Sequence, residues 1–239
     1  MTDRINKFGQ PIGLPVDTWQ PAKLPEAVTL TGHYCQLQPL DSQRHEQDLC
    51  QALQCETGGE SLWTYMFSGP FTSRQHFHEY IRAAANSRDP FHFAVIDNAT
   101  GKATGSLSLM RIDTANGVAE AGHVMFSPQL QRTPLSTEAQ YLLMRYAFDT
   151  LGYRRYEWKC DSLNTPSRNA ALRLGFRFEG IFRQAMVYKG RNRDTAWFSV
   201  TDEEWPGLRS AFTQWLSADN FDSAGQQRYP LRYFRSGTL

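Results

Sequence analysis

From residue 122 to residue 180 the chain runs strand, loop, helix, strand, helix, with its punctuation residues in place. A strand-like run ends at Phe126-Ser127-Pro128. Thr133 then Pro134 fits a helix cap followed by proline at the first helical position, where no amide donor is needed. Ala139, Leu142, Leu143, Tyr146 and Ala147 recur at steps of three and four and give one apolar stripe. Leu151-Gly152 ends that helix. Residues 153–160 read as a strand and 164–174 as a short helix, with a second cap-then-proline start at Thr165-Pro166 and a stop at Gly175. A strand that turns straight into a helix N-terminus is a ready anion site, because the first helical amides lack internal partners. Thr133, Ser136 and Thr137 add hydroxyls there, and Arg132 adds a charge suited to fork-like bonds with phosphate.

The flanking sequence extends the alternation. Tyr34 and Gln36 fit a first strand, residues 41–55 a helix capped by Asp41, and residues 72–85 a second helix with Phe77, Tyr80 and Ile81 on one face. Strand-like runs at 91–96, 103–111 and 118–126 are separated by the turn residues Asn98-Ala99-Thr100-Gly101 and Asn116-Gly117, so the centre reads as an antiparallel meander. Strands at 176–188 and 194–200 follow, joined by a turn at 189–192. Thr201 and Glu204 then set a capping box before a last helix holding Trp205, Leu208, Phe212 and Leu216. Residues 1–29, with Pro11, Pro15, Pro21 and Pro25, predict an extended arm. The domain proper is expected over 30–217, and 218–239 form a polar tail that Tyr229, Leu231, Tyr233 and Phe234 can dock.

Bulk properties exclude several classes. A net charge of +1 gives no global field for nucleic acid or membranes. No apolar run is long enough to span a bilayer, and the first residues show no signal-peptide core, which predicts a cytoplasmic protein. Cys35, Cys50, Cys55 and Cys160 form no CxxC pair; they predict buried, reduced thiols and no metal site.

Thr137-Glu138-Ala139, Asn164-x-x-Ser167, Leu174-Gly175-Phe176, Glu179-Gly180, Arg183, Gly190 and Asp194 stand in an order and spacing that resembles the GCN5-related N-acetyltransferase (GNAT) superfamily. Within it, the chain is similar to the ribosomal-protein N-terminal acetyltransferase-like branch, over residues 31–205. The resemblance implies an α/β (α+β) fold: a central, mostly antiparallel mixed sheet, split between its fourth and fifth strands, with helices on both faces. It also implies acetyl-CoA as cosubstrate, lying in that split. Val124, Met125 and Phe126 would hold its pantetheine arm like an added strand; Gln131, Arg132, Thr133, Ser136 and Thr137 would hold the pyrophosphate; Asn164 would contact the arm. Ser167 would protonate the departing thiolate. Arg154, Arg155, Arg168 and Arg173 are further candidates for the nucleotide end. Glu138 is expected to brace a loop or cap, and Arg183 and Asp194 to form an ion pair between strands.

Two positions depart from the family pattern. Pro134 stands where the phosphate loop usually has its first glycine, which removes a donor and adds bulk. Met186 stands where some relatives place a basic glutamate. Other candidate bases are Glu120, His123 and Tyr188; strict alternation along a strand sets Glu120 and His123 on opposite faces. Trp63, Tyr65, Met66, Phe67 and Phe71 predict either core packing or an apolar wall for the acceptor, with Trp63 and Tyr65 as the substrate-binding candidates.

The resulting expectation is an N-acetyltransferase that moves an acetyl group by direct attack onto a primary amine, either a small molecule or a peptide N-terminus. The chain is expected to act as a monomer or homodimer. The alternatives are a non-catalytic CoA-binding sensor and an interaction domain whose cofactor site has decayed.

Overall fold

A computed structural model describes residues 4–55, 59–71 and 73–235. Residues 1–3 of the arm, Thr72 at the expected start of the second helix, and residues 236–239 of the tail lie outside the described residues. The arm opens with a small antiparallel hairpin, β1 (Arg4–Ile5) and β2 (Pro11–Ile12). The rest of the arm is extended and docked: the Ala22 and Lys23 amides donate to the Thr114 and Leu151 carbonyls, and the Trp19 indole to Ala115.

The domain is one mixed sheet between two sets of helices. Chain order runs β3 (Leu30–Thr31), β4 (Cys35–Pro39), α1 (Ser42–Ala52), α2 (Arg74–Asn86), β5 (Phe91–Asp97), β6 (Ala103–Asp113), β7 (Val118–Phe126), α3 (Pro134–Arg145), β8 (Arg155–Asp161), α4 (Thr165–Leu174), β9 (Arg177–Tyr188), β10 (Arg191–Thr201), α5 (Trp205–Trp215) and α6 (Leu231–Arg235). Spatial order is β3-β4-β5-β6-β7-β8-β10-β9, antiparallel throughout except at β7–β8.

Alternating side chains assign the two faces. Phe91, Phe93, Val95, Leu107 and Leu109 pack with Leu142 and Leu143 of α3 and Phe212 of α5. Ala94, Ile96, Ala103 and Met125 pack with Leu49 of α1 and Phe77 and Ile81 of α2. Burying a side chain such as Phe77 in this second layer stabilises by about 2–3 kcal/mol.

Of the caps read from sequence, those of α1 and α3 are present. Helix α4 is capped by Asn164 rather than Thr165, because the Asn164 side chain accepts the Ser167 amide, and α5 starts at Trp205 rather than directly after Thr201. The Asp41 carboxylate accepts the Gln43 and Arg44 amides, and the Thr133 hydroxyl accepts the Ser136 amide at 3.2 Å. Glu204 reaches back to the Thr201 amide at 2.9 Å. Glu138, buried in α3, accepts three backbone N–H groups from the β3–β4 turn: His33 at 2.7 Å, Tyr34 at 2.6 Å and Cys35 at 2.8 Å. The tail docks through Leu231, which is buried in the larger core.

Three further expectations are corrected. Cys50 and Cys55 are joined as a disulfide rather than both reduced; α1 ends at Ala52 with Leu53 as its cap, Gln54 takes a φ of +54°, and the chain folds back so that the two Cα atoms lie 5.1 Å apart. Cys35 and Cys160 are free and buried. The β9–β10 turn is two residues, not four, because Lys189 (φ +48°) and Gly190 (φ +70°) both take the left-handed conformation that closes a tight hairpin. Asp194 forms no ion pair with Arg183; its carboxylate accepts the Gln184 amide at 2.7 Å and the Asn192 side chain at 3.0 Å, bracing an irregularity in the β9–β10 ladder.

Candidate active site

The fourth and fifth main strands, counted from β4, are β7 and β8, and they separate as the fold class requires. Their parallel pairing runs only from Val118↔Arg155 to Ala121↔Trp158. Beyond that point β7 continues to Phe126, paired with β6 alone. Its other edge, over residues 122–126, is open to the split. Val124, Met125 and Phe126 occupy this free edge, so a ligand carrying amides can add there as a strand does.

A bulge shapes the same segment. Ser108 pairs with Gly122 and Ser106 with Met125, so His123 and Val124 together face the single residue Leu107. His123 takes a φ of +46° to make the bulge. This overturns the opposite-face expectation for Glu120 and His123. Glu120 pairs with Met110, on the face of β6 that also carries Ser106 and Ser108. The His123 ring lies 5.2 Å from that of His92, which pairs with Ser108 and belongs to that same face. The extra residue breaks the alternation and turns both side chains the same way.

At the end of β7 the chain tightens into a loop. The Ser127 hydroxyl accepts the Leu130 amide at 3.2 Å, and the Gln131 side chain donates back to the Phe126 carbonyl at 2.9 Å. Arg132 is exposed, with a φ of +63°. The hydroxyls expected to face an anion are engaged within the fold. Thr133 donates to Leu130 at 2.7 Å, Ser136 donates to Thr133 at 2.8 Å, and Thr137 is buried and accepts from Arg173 at 2.8 Å. What the loop offers an anion is therefore the amide end of α3 and the Arg132 guanidinium.

Across the split, Asn164 caps α4 by accepting the Ser167 amide at 3.1 Å, and the Ser167 hydroxyl accepts the Trp158 indole N–H at 2.9 Å. Glu120 is buried, and its carboxylate meets Lys159 at 2.8 Å and Arg111 at 3.4 Å; Lys159 also meets Glu157 at 2.6 Å. Burial pushes the Glu120 carboxyl up, against the pull of Lys159 and Arg111. Tyr188 is buried and donates to Asp161 at 2.7 Å; burial and that carboxylate push its phenol up to about 12, so it stays protonated near neutrality. Arg155 is held by Glu157 and Glu179, and Arg154 lies over Trp19.

The segment between α1 and α2 is strapped across this region. Lys189 donates to the Trp63 carbonyl at 2.7 Å and the Ser68 carbonyl at 3.2 Å, Arg191 to the Thr64 carbonyl at 2.6 Å, and the Tyr65 hydroxyl to the Leu163 carbonyl at 3.3 Å. Trp63 is buried and stacks edge-on against Phe71, which makes its side chain core rather than pocket wall. Tyr65 is half-buried and stands at the strap. Two residues escaped the sequence reading: His92, whose signal was a lone polar side chain inside an apolar strand, and Arg193, buried between Phe67 and Tyr188.

With this geometry in view, a family model described as an acetyltransferase (GNAT) domain matches residues 37–177. The chain belongs to the GNAT acetyltransferase family. A solved GCN5-related N-acetyltransferase from Brucella melitensis is 52% identical, with a TM-score of 0.90 over 92% of this chain and 100% of that one. The "Uncharacterized N-acetyltransferase p20" of Bacillus licheniformis is 32% identical over 48% of this chain and 64% of its own length. The "Putative ribosomal N-acetyltransferase YdaF" of Bacillus subtilis is 30% identical over 45% of this chain and 58% of its own length. The chain thus spans less than two thirds of each of these two curated relatives. In this GNAT domain the sheet splits where the fold class predicted, between β7 and β8. Among the described residues no cluster of side chains is arranged to hold a metal ion, and no helix is long and apolar enough to cross a membrane.

Proposed function

We propose that the chain transfers the acetyl group of acetyl-CoA to the α-amine of a peptide or protein N-terminus. The observation that carries this reading is the open edge of β7 over residues 122–126, bounded by the amide end of α3 and by Ser167. Backbone groups of Val124, Met125 and Phe126 bind the pantetheine arm, and Arg132 with the first α3 amides binds the pyrophosphate. Amides near Met125 and Phe126 polarise the thioester carbonyl. The amine attacks that carbon, the C–S bond breaks, and Ser167 supplies a proton to the sulfur.

An α-amine suits this site because its pKa of about 7.7–8.0 leaves much of it neutral near physiological pH. The word ribosomal in the name of the Bacillus subtilis relative supports a protein acceptor. Calorimetry with acetyl-CoA tests the cofactor, and no binding would overturn the reading. Thiol release across a panel of peptide N-termini and small amines tests the acceptor. Binding without thiol release from any amine would favour the CoA-sensor reading, which the lost donor at Pro134 motivates.

A further inference from the structure

Two imidazoles meet on the sheet face covered by α1 and α2. His92 of β5 and His123 of β7 flank β6, with ring centroids 5.2 Å apart and planes at 65°. They can meet because β6 carries only small serines, Ser106 and Ser108, beneath them, and because the β7 bulge turns His123 to this side. The Ser108 hydroxyl is satisfied by the Gly122 carbonyl at 3.0 Å. The Nδ1 atoms of His92 and His123 and the Oγ of Ser106 are enclosed and have no hydrogen-bond partner. Enclosed polar atoms are rarely left unpaired, and several gathered beside a ligand cleft are what a bound water or a reacting amine satisfies.

We propose that His123, positioned by His92, accepts the proton that the acceptor amine must lose before attack. The inference rests on the acetyltransferase reading and names the base of that site. His123 immediately precedes Val124, at the open edge of β7, so its ring stands beside the segment where the thioester carbonyl is polarised.

The acceptor arrives as an ammonium. One proton passes from the ammonium to the His123 imidazole and then to solvent. The freed lone pair forms the C–N bond at the thioester carbon. The C–S bond breaks with its electron pair going to sulfur. The nitrogen sheds a second proton, equal to the one the thiolate takes up through Ser167. The products are the amide, the free thiol and one proton.

The surroundings keep the pair in its accepting form. Burial lowers both imidazoles, and His92 falls to about 4 with the neighbouring His123 contributing. Other titratable groups on this face are Tyr80 of α2, raised by burial; His45 of α1, lowered by burial; Asp48 of α1, which accepts the Ala103 amide at 3.1 Å; and Glu120, held by Lys159 and Arg111.

The test uses the full chain, with His123→Gln and His92→Gln beside the unsubstituted protein. Turnover at saturating peptide and acetyl-CoA is followed against pH, and acetyl-CoA affinity by calorimetry. His123→Gln is expected to lower kcat about a hundredfold and to erase the acid limb of the profile, with acetyl-CoA affinity held within about twofold. His92→Gln is expected to give a smaller loss of kcat and to leave that limb in place, because burial and not the uncharged His92 lowers His123. A His123→Gln profile that superimposes on the unsubstituted one overturns the proposal. Ring resonances of the unsubstituted protein supply a readout that needs neither variant nor turnover. Adding acceptor peptide without acetyl-CoA is expected to shift the His92 and His123 signals together, and peptide binding that leaves both unmoved overturns the pairing. Absence of acetyl-CoA binding, by contrast, sinks the acetyltransferase reading and the base assignment with it.

Discussion

The indole N–H of Trp158 donates to the Ser167 hydroxyl at 2.9 Å, across the gap between β8 and the first turn of α4. With its oxygen already receiving one donor, the hydroxyl has its own proton to give, and the neighbouring Cys160 thiol competes for it with any partner in the split. Ser167→Ala is expected to lower kcat about a hundredfold with little change in acetyl-CoA affinity. Steady-state kinetics beside calorimetry separates the two, and unchanged turnover removes Ser167 from the donor role.

Arg132 is exposed and takes a left-handed turn ahead of α3, while the nearby Thr133 and Ser136 hydroxyls donate within the fold. It therefore carries more of the anion affinity than the hydroxyls do. Arg132→Ala is expected to weaken acetyl-CoA binding about fivefold at low salt, with the difference shrinking as salt is added. Thr137→Val is expected to leave affinity nearly unchanged, because that hydroxyl is buried against Arg173. Titrations at two ionic strengths check both.

Glu138 gathers three backbone amides, and Gly32 lies so close that a Cβ there would fall 2.4 Å from the carboxyl carbon. Glu138→Ala is expected to destabilise by about 3 kcal/mol, since it strands several donors at once. Thermal unfolding would show this as a fall of about 10 °C in Tm. Gly32→Ala is expected to act in the same direction by displacing the carboxylate.

Glu179 is held down to about 2 by its hydrogen bonds with Arg155, with Ser199 contributing. Its folded value lies below the ordinary 4.5, so the stability it contributes is fully present above about 4.5 and is lost as pH falls toward about 2. Glu179→Gln is expected to flatten the stability curve within that window and leave its shape above pH 5 unaltered. Denaturant melts at a series of pH values read this directly.

The fold was legible because punctuation and period agree along the chain. Thr133-Pro134 and Gly175 mark helix ends by local chemistry that tertiary context does not override, while at α4 the proline marks the start one residue late, since Asn164 and not Thr165 is the cap. The site was legible only where it depends on those same ends. Uninterrupted alternation sets Glu120 and His123 on opposite faces, and the one-residue bulge that reverses this carries no strong sequence mark. The hydroxyls of Ser136 and Thr137 matched an anion site by residue type, but type does not show which bonds the fold has already formed. His92 was passed over because its partner, His123, is 31 positions away and meets it only across β6.

The strap between α1 and α2 is held at Trp63, Thr64 and Ser68 by their carbonyl oxygens, and at Tyr65 through the Leu163 carbonyl. A carbonyl is the same group whatever side chain accompanies it. Lys189 and Arg191 therefore grip exposed positions such as Thr64 whatever the side chain there, whereas Tyr65 is held through its own hydroxyl and Trp63 through the core. At such a position composition and anchorage are uncoupled, and the path of the strap over the sheet stays the same when the side chain changes.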